Sequence, residues 1–307
     1  MTLDLTAEFL ESALREPGQQ WTARGLADLA SRTVPETMLG TNLNLLRADV
    51  YRLWARWFSE TVADPRQFPE EFDYATVYAQ TRSVVNDLWR DVPEDERNRF
   101  AVRLARLRME ELKRQEVARQ PFSITEKLAV RWAAGPEPRC WICGYRFPTW
   151  ALEKFEGRSY TFPGPDQFVD RFMPRLRQRH YQIEIDHVVP VHGGGTNKDN
   201  LRLACGWCNL AKREMVSVYD VRSHPREPVG SGYRPKAPLP IWVVRLLATR
   251  RRCEWREGCS FTVENEALTI APRHHNGVAN PINLWVTCGT HDPLGSRRYL
   301  SRDRFQV

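Results

Sequence analysis

Apolar residues recur at spacings near three and four through the first part of the chain: Phe9, Leu10 and Leu14, then Leu26 and Leu29, then Leu43, Leu46, Val50, Leu53 and Trp57. That period is the stripe of an amphipathic helix, and Pro17-Gly18 and Pro35 cut the run into several short ones. A longer helix is predicted from about Pro93 to Arg119. Glu94, Asp95 and Glu96 stand in its first turn and Lys113, Arg114 and Arg119 near its end, as the helix dipole favours, with Phe100, Leu104 and Leu107 as its core stripe. Trp21 to Ala30, a turn, and a helical segment from about Asn42 have the outline of a helix-turn-helix. Their acidic surroundings favour a structural or protein-contacting bundle over a DNA-reading helix.

The pattern changes after residue 120. Ser123-Ile-Thr-Glu126 is a capping box opening a short helix that Gly135-Pro136 ends. A β-rich segment ends near Asp186-His187, a turn follows at Gly193 to Gly195, a short strand covers about Leu201 to Ala204, and a helix begins around Cys205 to Cys208. From Arg222 to Pro240 the chain is dense in Pro and Gly without an apolar period, which reads as an extended linker. The expectation is an α+β protein in parts: a helical N-terminal domain over 1–120, a central domain over 121–221, a linker over 222–240, and a small C-terminal unit over 241–307.

Length agrees, since 307 residues suggest two or three domains, and 42% hydrophobic with 27% charged residues is ordinary globular usage. No apolar stretch reaches the roughly 18 residues of a membrane span, and Asp4 and Glu8 occupy the place of a signal peptide's basic and apolar residues. A cytoplasmic protein with no membrane partner is expected. Formal charge is −3 over residues 1–120 and +10 over 121–307. The basic part suits an acidic polymer, because Lys and Arg that neutralise phosphates release counterions; a solvated basic surface is the alternative. All seven Cys and all seven His lie at or beyond Cys140.

Cys140-Trp-Ile-Cys143 and Cys205-Gly-Trp-Cys208 are two C-x-x-C knuckles, together a tetrahedral sulfur set for structural Zn²⁺; two unrelated or redox-active pairs are the alternative. Between them lies Ile183-Glu-Ile-Asp-His-Val-Val-Pro, followed by Asn200-Leu201, Asn209 and Lys212. His187 can act as a base near neutral pH, Asp186 is an adjacent carboxylate, and Asn209 brings an amide oxygen on a helix tied to the sulfur site. Oxygen donors from Asp and Asn suit a hard cation such as Mg²⁺. Adjacent strand residues face opposite ways, so Asp186 and His187 share a site only where the strand ends or distorts.

In Asp-His, Pro, Gly-Gly, Asn-Leu, Cys-x-x-Cys-Asn and the following Lys, residues 137–215 resemble the four-cysteine HNH endonucleases with their ββα-metal fold. The resemblance implies a zinc-stabilised HNH domain that hydrolyses DNA phosphodiesters, RNA not being excluded. It implies His187 as general base, Asp186 and Asn209 as ligands of one catalytic metal, Asn200 as the brace of the loop that orients His187, and Lys212 beside substrate phosphate. Many members carry His where this chain has Asn209, which favours Mg²⁺ or Mn²⁺ over catalytic Zn²⁺. An insertion between Cys143 and Ile183 carries Arg175, Arg177 and Arg179, which with Arg213 could track a phosphate backbone or form a solvated face.

The C-terminal unit repeats the pattern in worn form. Cys253 and Cys259 precede Asn283-Leu284 and Cys288-Gly-Thr-His291, with the offsets of Asn200 to Cys205 and Cys208. Seven Cys and His291 thus complete two four-ligand Zn²⁺ sites. Thr269-Ile270 is read against Asp186-His187 and Asp292 against Asn209, so this degenerate HNH-like unit is expected to lack chemistry. The whole reads as a nuclease, with a non-catalytic zinc-dependent nucleic-acid-binding module as one alternative. Another is an effector subunit that acts with a regulatory partner, or as a homodimer, through its N-terminal bundle, as in restriction and phage defence.

Overall fold

The computed structural model describes residues 3–14, 22–62, 73–115, 122–189, 200–213, 215–220, 237–255, 258–273 and 279–304. The chain divides into two compact units, 1–51 and 52–307. The first holds α1 (Leu3–Leu14), α2 (Ala23–Ala30), α3 (Glu36–Leu39) and the start of α4 (Leu43–Val62). Thr22 caps α2 by accepting the Gly25 N–H at 3.1 Å, and the hydroxyls of Thr6 and Thr37 join α1 to α3.

The second unit opens with a helical hairpin, α5 (Tyr74–Leu88) and α6 (Glu94–Gln115). Val62, Val85, Ala101 and Leu104 form one buried cluster and Val77, Ala105 and Leu112 another. Arg97 closes the turn by donating to the carbonyls of Trp89, Arg90 and Val92. The predicted stripe is corrected at Leu107, which is 61% exposed. The inward face of α6 runs through Ala101, Leu104, Ala105 and Leu112, which pack with Val77 and Val85 of α5.

The rest of this unit contains α7 (Ile124–Ala133), α8 (Thr149–Phe155), β1 (Phe168–Asp170), α9 (Gln178–Tyr181), β2 (Ile183–His187), β3 (Leu201–Cys205) and α10 (Gly206–Lys212). After them come α11 (Pro240–Arg250), β4 (Leu268–Pro272), β5 (Leu284–Cys288) and β6 (Tyr299–Ser301). The capping box of α7 is formed in both directions, Glu126 N–H to Ser123 Oγ and Ser123 N–H to Glu126 Oε2. The turn expected at Gly193 to Gly195, and the expected linker apart from residues 237–240, lie outside the described residues.

Two antiparallel ladders share one register. β2 pairs with β3 from Ile183↔Cys205 to His187↔Leu201, and β4 pairs with β5 from Leu268↔Cys288 to Pro272↔Leu284. Their knuckles match too: Cys140 N–H bonds Tyr145 O and Trp141 N–H bonds Leu203 O, as Cys253 N–H bonds Phe261 O and Glu254 N–H bonds Val286 O, all at 2.9 Å. The registers correct the expected alignment. Ala271-Pro272, not Thr269-Ile270, stands where the first repeat has Asp186-His187, because the loop between β4 and β5 is shorter by two residues than that between β2 and β3.

The two repeats are joined along the first knuckle. Leu268 N–H bonds Cys143 O and Arg251 Nη1 bonds Trp141 O, both at 2.8 Å. β1, from the insertion, pairs antiparallel with β6, from the end of the second repeat. At Gly144, with φ at +71°, a Cβ would lie 2.1 Å from Glu266 O, so only glycine permits this approach. Among the described residues no helix is long and apolar enough to cross a membrane.

Candidate metal centres and active site

The sulfurs of Cys140, Cys143, Cys205 and Cys208 gather in one buried group, and those of Cys253, Cys259 and Cys288 gather with a ring nitrogen of His291 in a second. Each group lies within 4.8 Å, and either could hold zinc. The Cys143 and Cys205 sulfurs are 4.0 Å apart, close to the edge of about 3.8 Å of a tetrahedron with 2.3 Å zinc–sulfur bonds. Burial pushes the Cys140 and Cys208 thiols well above their ordinary range, while hydrogen bonds from the neighbouring thiols and the charge of Arg175 outweigh burial at Cys205 and hold it well below. In the second group burial pushes Cys253 up to about 11, and the Trp255 ring stacks on His291 at 4.9 Å and 1°, fixing its plane.

Arg175 belongs to the first of these groups. Its Nη2 lies 3.5 Å from Cys143 Sγ and 3.6 Å from Cys205 Sγ, and its guanidinium sits 4.4 Å over the Tyr145 ring. This corrects its expected place on a phosphate-tracking face: the cation is turned inward to offset thiolate charge. The other basic residues spread out. Arg179 is paired with Glu184 at 2.9 Å, Arg177 is exposed just before α9, and Arg213, at φ +46°, donates to Leu210 O beyond the end of α10.

The candidate catalytic residues stand where β2 ends. Asp186 is buried at 4% exposure. Its Oδ1 accepts from Lys212 Nζ at 3.0 Å and its Oδ2 from the Trp141 indole at 3.0 Å. Burial pushes the Asp186 carboxyl above its ordinary value, against the opposing pull of Lys212 and Trp141. Lys212 also donates to His187 O. That corrects the expectation of an ammonium at substrate phosphate: α10 lies along β2 so that Lys212 is buried over Asp186, joining the carboxylate and the strand end. The His187 ring stacks on Phe122 at 5.7 Å and 29°.

Asn200 grips the other end of the loop. Its Oδ1 accepts Val189 N–H and its Nδ2 donates to Val189 O, both at 2.8 Å, while Val188 N–H bonds Asn200 O. Asn209, one turn before Lys212 on α10, donates its amide to Glu184 Oε2 at 2.5 Å. The sequence reading missed Glu184 and Trp141. Strand alternation puts Glu184 on the face of Asp186 and was a usable signal; nothing local marks Trp141.

Asp186 and Asn209 carry oxygen donors of the kind a hard divalent cation takes. Each carboxylate oxygen has two lone pairs, so partners on Lys212 and Trp141 leave acceptor capacity on Asp186, and the contact to Glu184 uses the nitrogen of Asn209, not its oxygen. The described fold around it is strand, strand and helix, with the helix starting on a zinc-type knuckle. Residues 174–214 match the family model described as HNH endonuclease. No curated protein and no solved structure matches the chain at the significance required.

Proposed function

We propose that this protein is a metal-dependent endonuclease that hydrolyses DNA phosphodiesters, with His187 as general base. The observation that carries the reading is the HNH match over the stretch in which the end of β2, the Asn200 clamp and α10 meet. Asp186 and Asn209 would hold Mg²⁺ or Mn²⁺, which when bound stabilises charge on the phosphate and the leaving oxygen. His187 takes the proton of a water as its oxygen attacks phosphorus, and the P–O3′ bond breaks. Asn200, clamped to Val189, braces the strand end so that the imidazole faces the water, and Lys212 draws the Asp186 carboxyl toward its ionised form against the pull of burial. Zn²⁺ in both cysteine-rich groups serves structure. Arg177, Arg179 and Arg213 remain the candidates for the phosphate backbone.

The organisation proposed with it is a helical part over 1–120, nuclease domain over 121–221, linker over 222–240 and zinc-binding copy over 241–307, working in the cytoplasm, where thiols stay reduced. Restriction or phage defence is the proposed setting, with the helical part docking a regulatory protein.

Plasmid cleavage with Mg²⁺, Mn²⁺ or EDTA tests the activity. His187→Ala is expected to lower metal-dependent cutting about 10²- to 10⁴-fold, the worth of a general base, with zinc content and circular dichroism unchanged. If neither protein cuts DNA or RNA while both bind it with steep salt dependence, a non-catalytic binding module replaces this reading.

A further inference from the structure

We infer that Glu184 is a positioning residue for Asn209: it holds the amide nitrogen so that the carbonyl oxygen is the end presented to the catalytic cation. The inference rests on the nuclease reading above and deepens it. A carboxylate only accepts hydrogen bonds, so the contact between Glu184 Oε2 and Asn209 must be made by the amide NH₂. The orientation of an Asn side chain, otherwise ambiguous between its two ends, is thereby decided.

Glu184 is itself held. Its Oε1 accepts from Arg179 Nε at 2.9 Å, and its side chain is 20% exposed. The backbone closes the same relay. Gly206 opens α10 against α9, its N–H bonded to Gln182 O at 2.9 Å. A Cβ there would lie 1.9 Å from Arg179 O and 3.3 Å from Glu184 Oε1, so helix, arginine and carboxylate are seated without slack. Along β2 the two acids of one face divide the work: Asp186 meets the ammonium of Lys212, and Glu184 meets the amide of Asn209 one helical turn earlier. Such an outer carboxylate is the partner that orients metal-binding side chains generally.

The test is Mn²⁺ titration of the zinc-loaded full chain, followed by the electron paramagnetic resonance of free Mn²⁺, beside plasmid cleavage. Glu184→Ala is expected to weaken Mn²⁺ binding about 10- to 100-fold, the usual cost of losing an orienting partner, with zinc content unchanged. Glu184→Gln, whose carbonyl oxygen can still accept from Asn209, is expected to restore most of it, a rescue that a merely structural role for the charge would not produce. Mn²⁺ affinity in Glu184→Ala equal to wild type, while Asn209→Ala loses it, overturns the role of Glu184 and leaves the nuclease reading standing. A wild-type protein that binds no Mn²⁺ overturns both together.

Discussion

The two zinc-knuckle repeats share a ladder register and knuckle hydrogen bonds, yet they use the face beneath the ladder in opposite ways. In the first, Glu184 and Asp186 on one face of β2, with the backbone carbonyl of His187 at its end, meet Asn209 and Lys212 of α10. In the second, the corresponding strand positions are Thr269, Ala271 and Pro272, and Asp292 takes the place of Asn209. Arg298 is 1% exposed and donates to Asp292 Oδ2, to Ile270 O, and across to Asp170 Oδ1 in the insertion of the first repeat. A buried, mutually satisfied ion pair fixes structure and has little left for a substrate. The same frame therefore carries a buried Asp186–Lys212 pair within one copy and, in the other, an arginine clamp that also reaches across to the insertion of the first.

The largest expected effect separates the two zinc-type groups. All four ligands of the first are buried, whereas Cys259 and His291 of the second are partly exposed. Zinc held by such sites contributes about 10–16 kcal/mol, which is comparable to the whole stability of a domain at about 5–15 kcal/mol. Cys140→Ser is expected to unfold the first repeat and abolish cooperative melting; Cys259→Ser is expected to lower the melting temperature and leave one zinc bound. Chelator titration with zinc counting checks this, and the second site should empty first. Release from the Cys₄ site first would break the comparison.

A smaller effect tests whether the copies act as one body. Gly144→Ala forces a left-handed backbone at about 1–3 kcal/mol and presses a methyl group onto Glu266 O, an overpacking of about 1–3 kcal/mol more. The expected result is a lower melting temperature for both repeats together, followed by calorimetry. If only the first repeat softens, the hydrogen bond from Leu268 to Cys143 joins them weakly and the clamp is incidental.

Local signals carried well from sequence to structure. The ends of β2 and β3, the helix at the second knuckle, the capping box at Ser123 and both ligand groups were legible because each depends on neighbours in sequence or on thiols that need a metal. What was not legible depends on packing between distant segments. Arg175 and Lys212 read as surface cations, yet one meets thiolates of both knuckles and the other a carboxylate on the facing strand. Leu107 read as core because period alone does not say which side of α6 the hairpin covers. The alignment of the second repeat slipped by two residues because its loop shortened between the motifs used as anchors.

The smallest expected effect lies in the insertion, which is also the largest difference between the repeats. His180 Nδ1 accepts the N–H groups of Leu176 at 3.1 Å and Arg177 at 3.4 Å, a role open only to the neutral ring. Burial, then the charges of Arg177 and Arg175, holds its pKa below the ordinary 6.5. The folded state thus binds this proton less readily than the unfolded one. The contribution is fully present above about pH 6.5 and is lost as pH falls below that value through the folded pKa. Amide exchange at Leu176 and Arg177 should quicken below pH 6.5, while the second repeat, which has no matching histidine contact among the described residues, stays unchanged. His180→Gln, whose side-chain oxygen accepts at any pH, should flatten the dependence. Equal slopes in the two proteins between pH 7 and pH 5 would place the acid sensitivity of the first repeat elsewhere, at Asp186 and its partners, and not in the turn that leads the chain into β2.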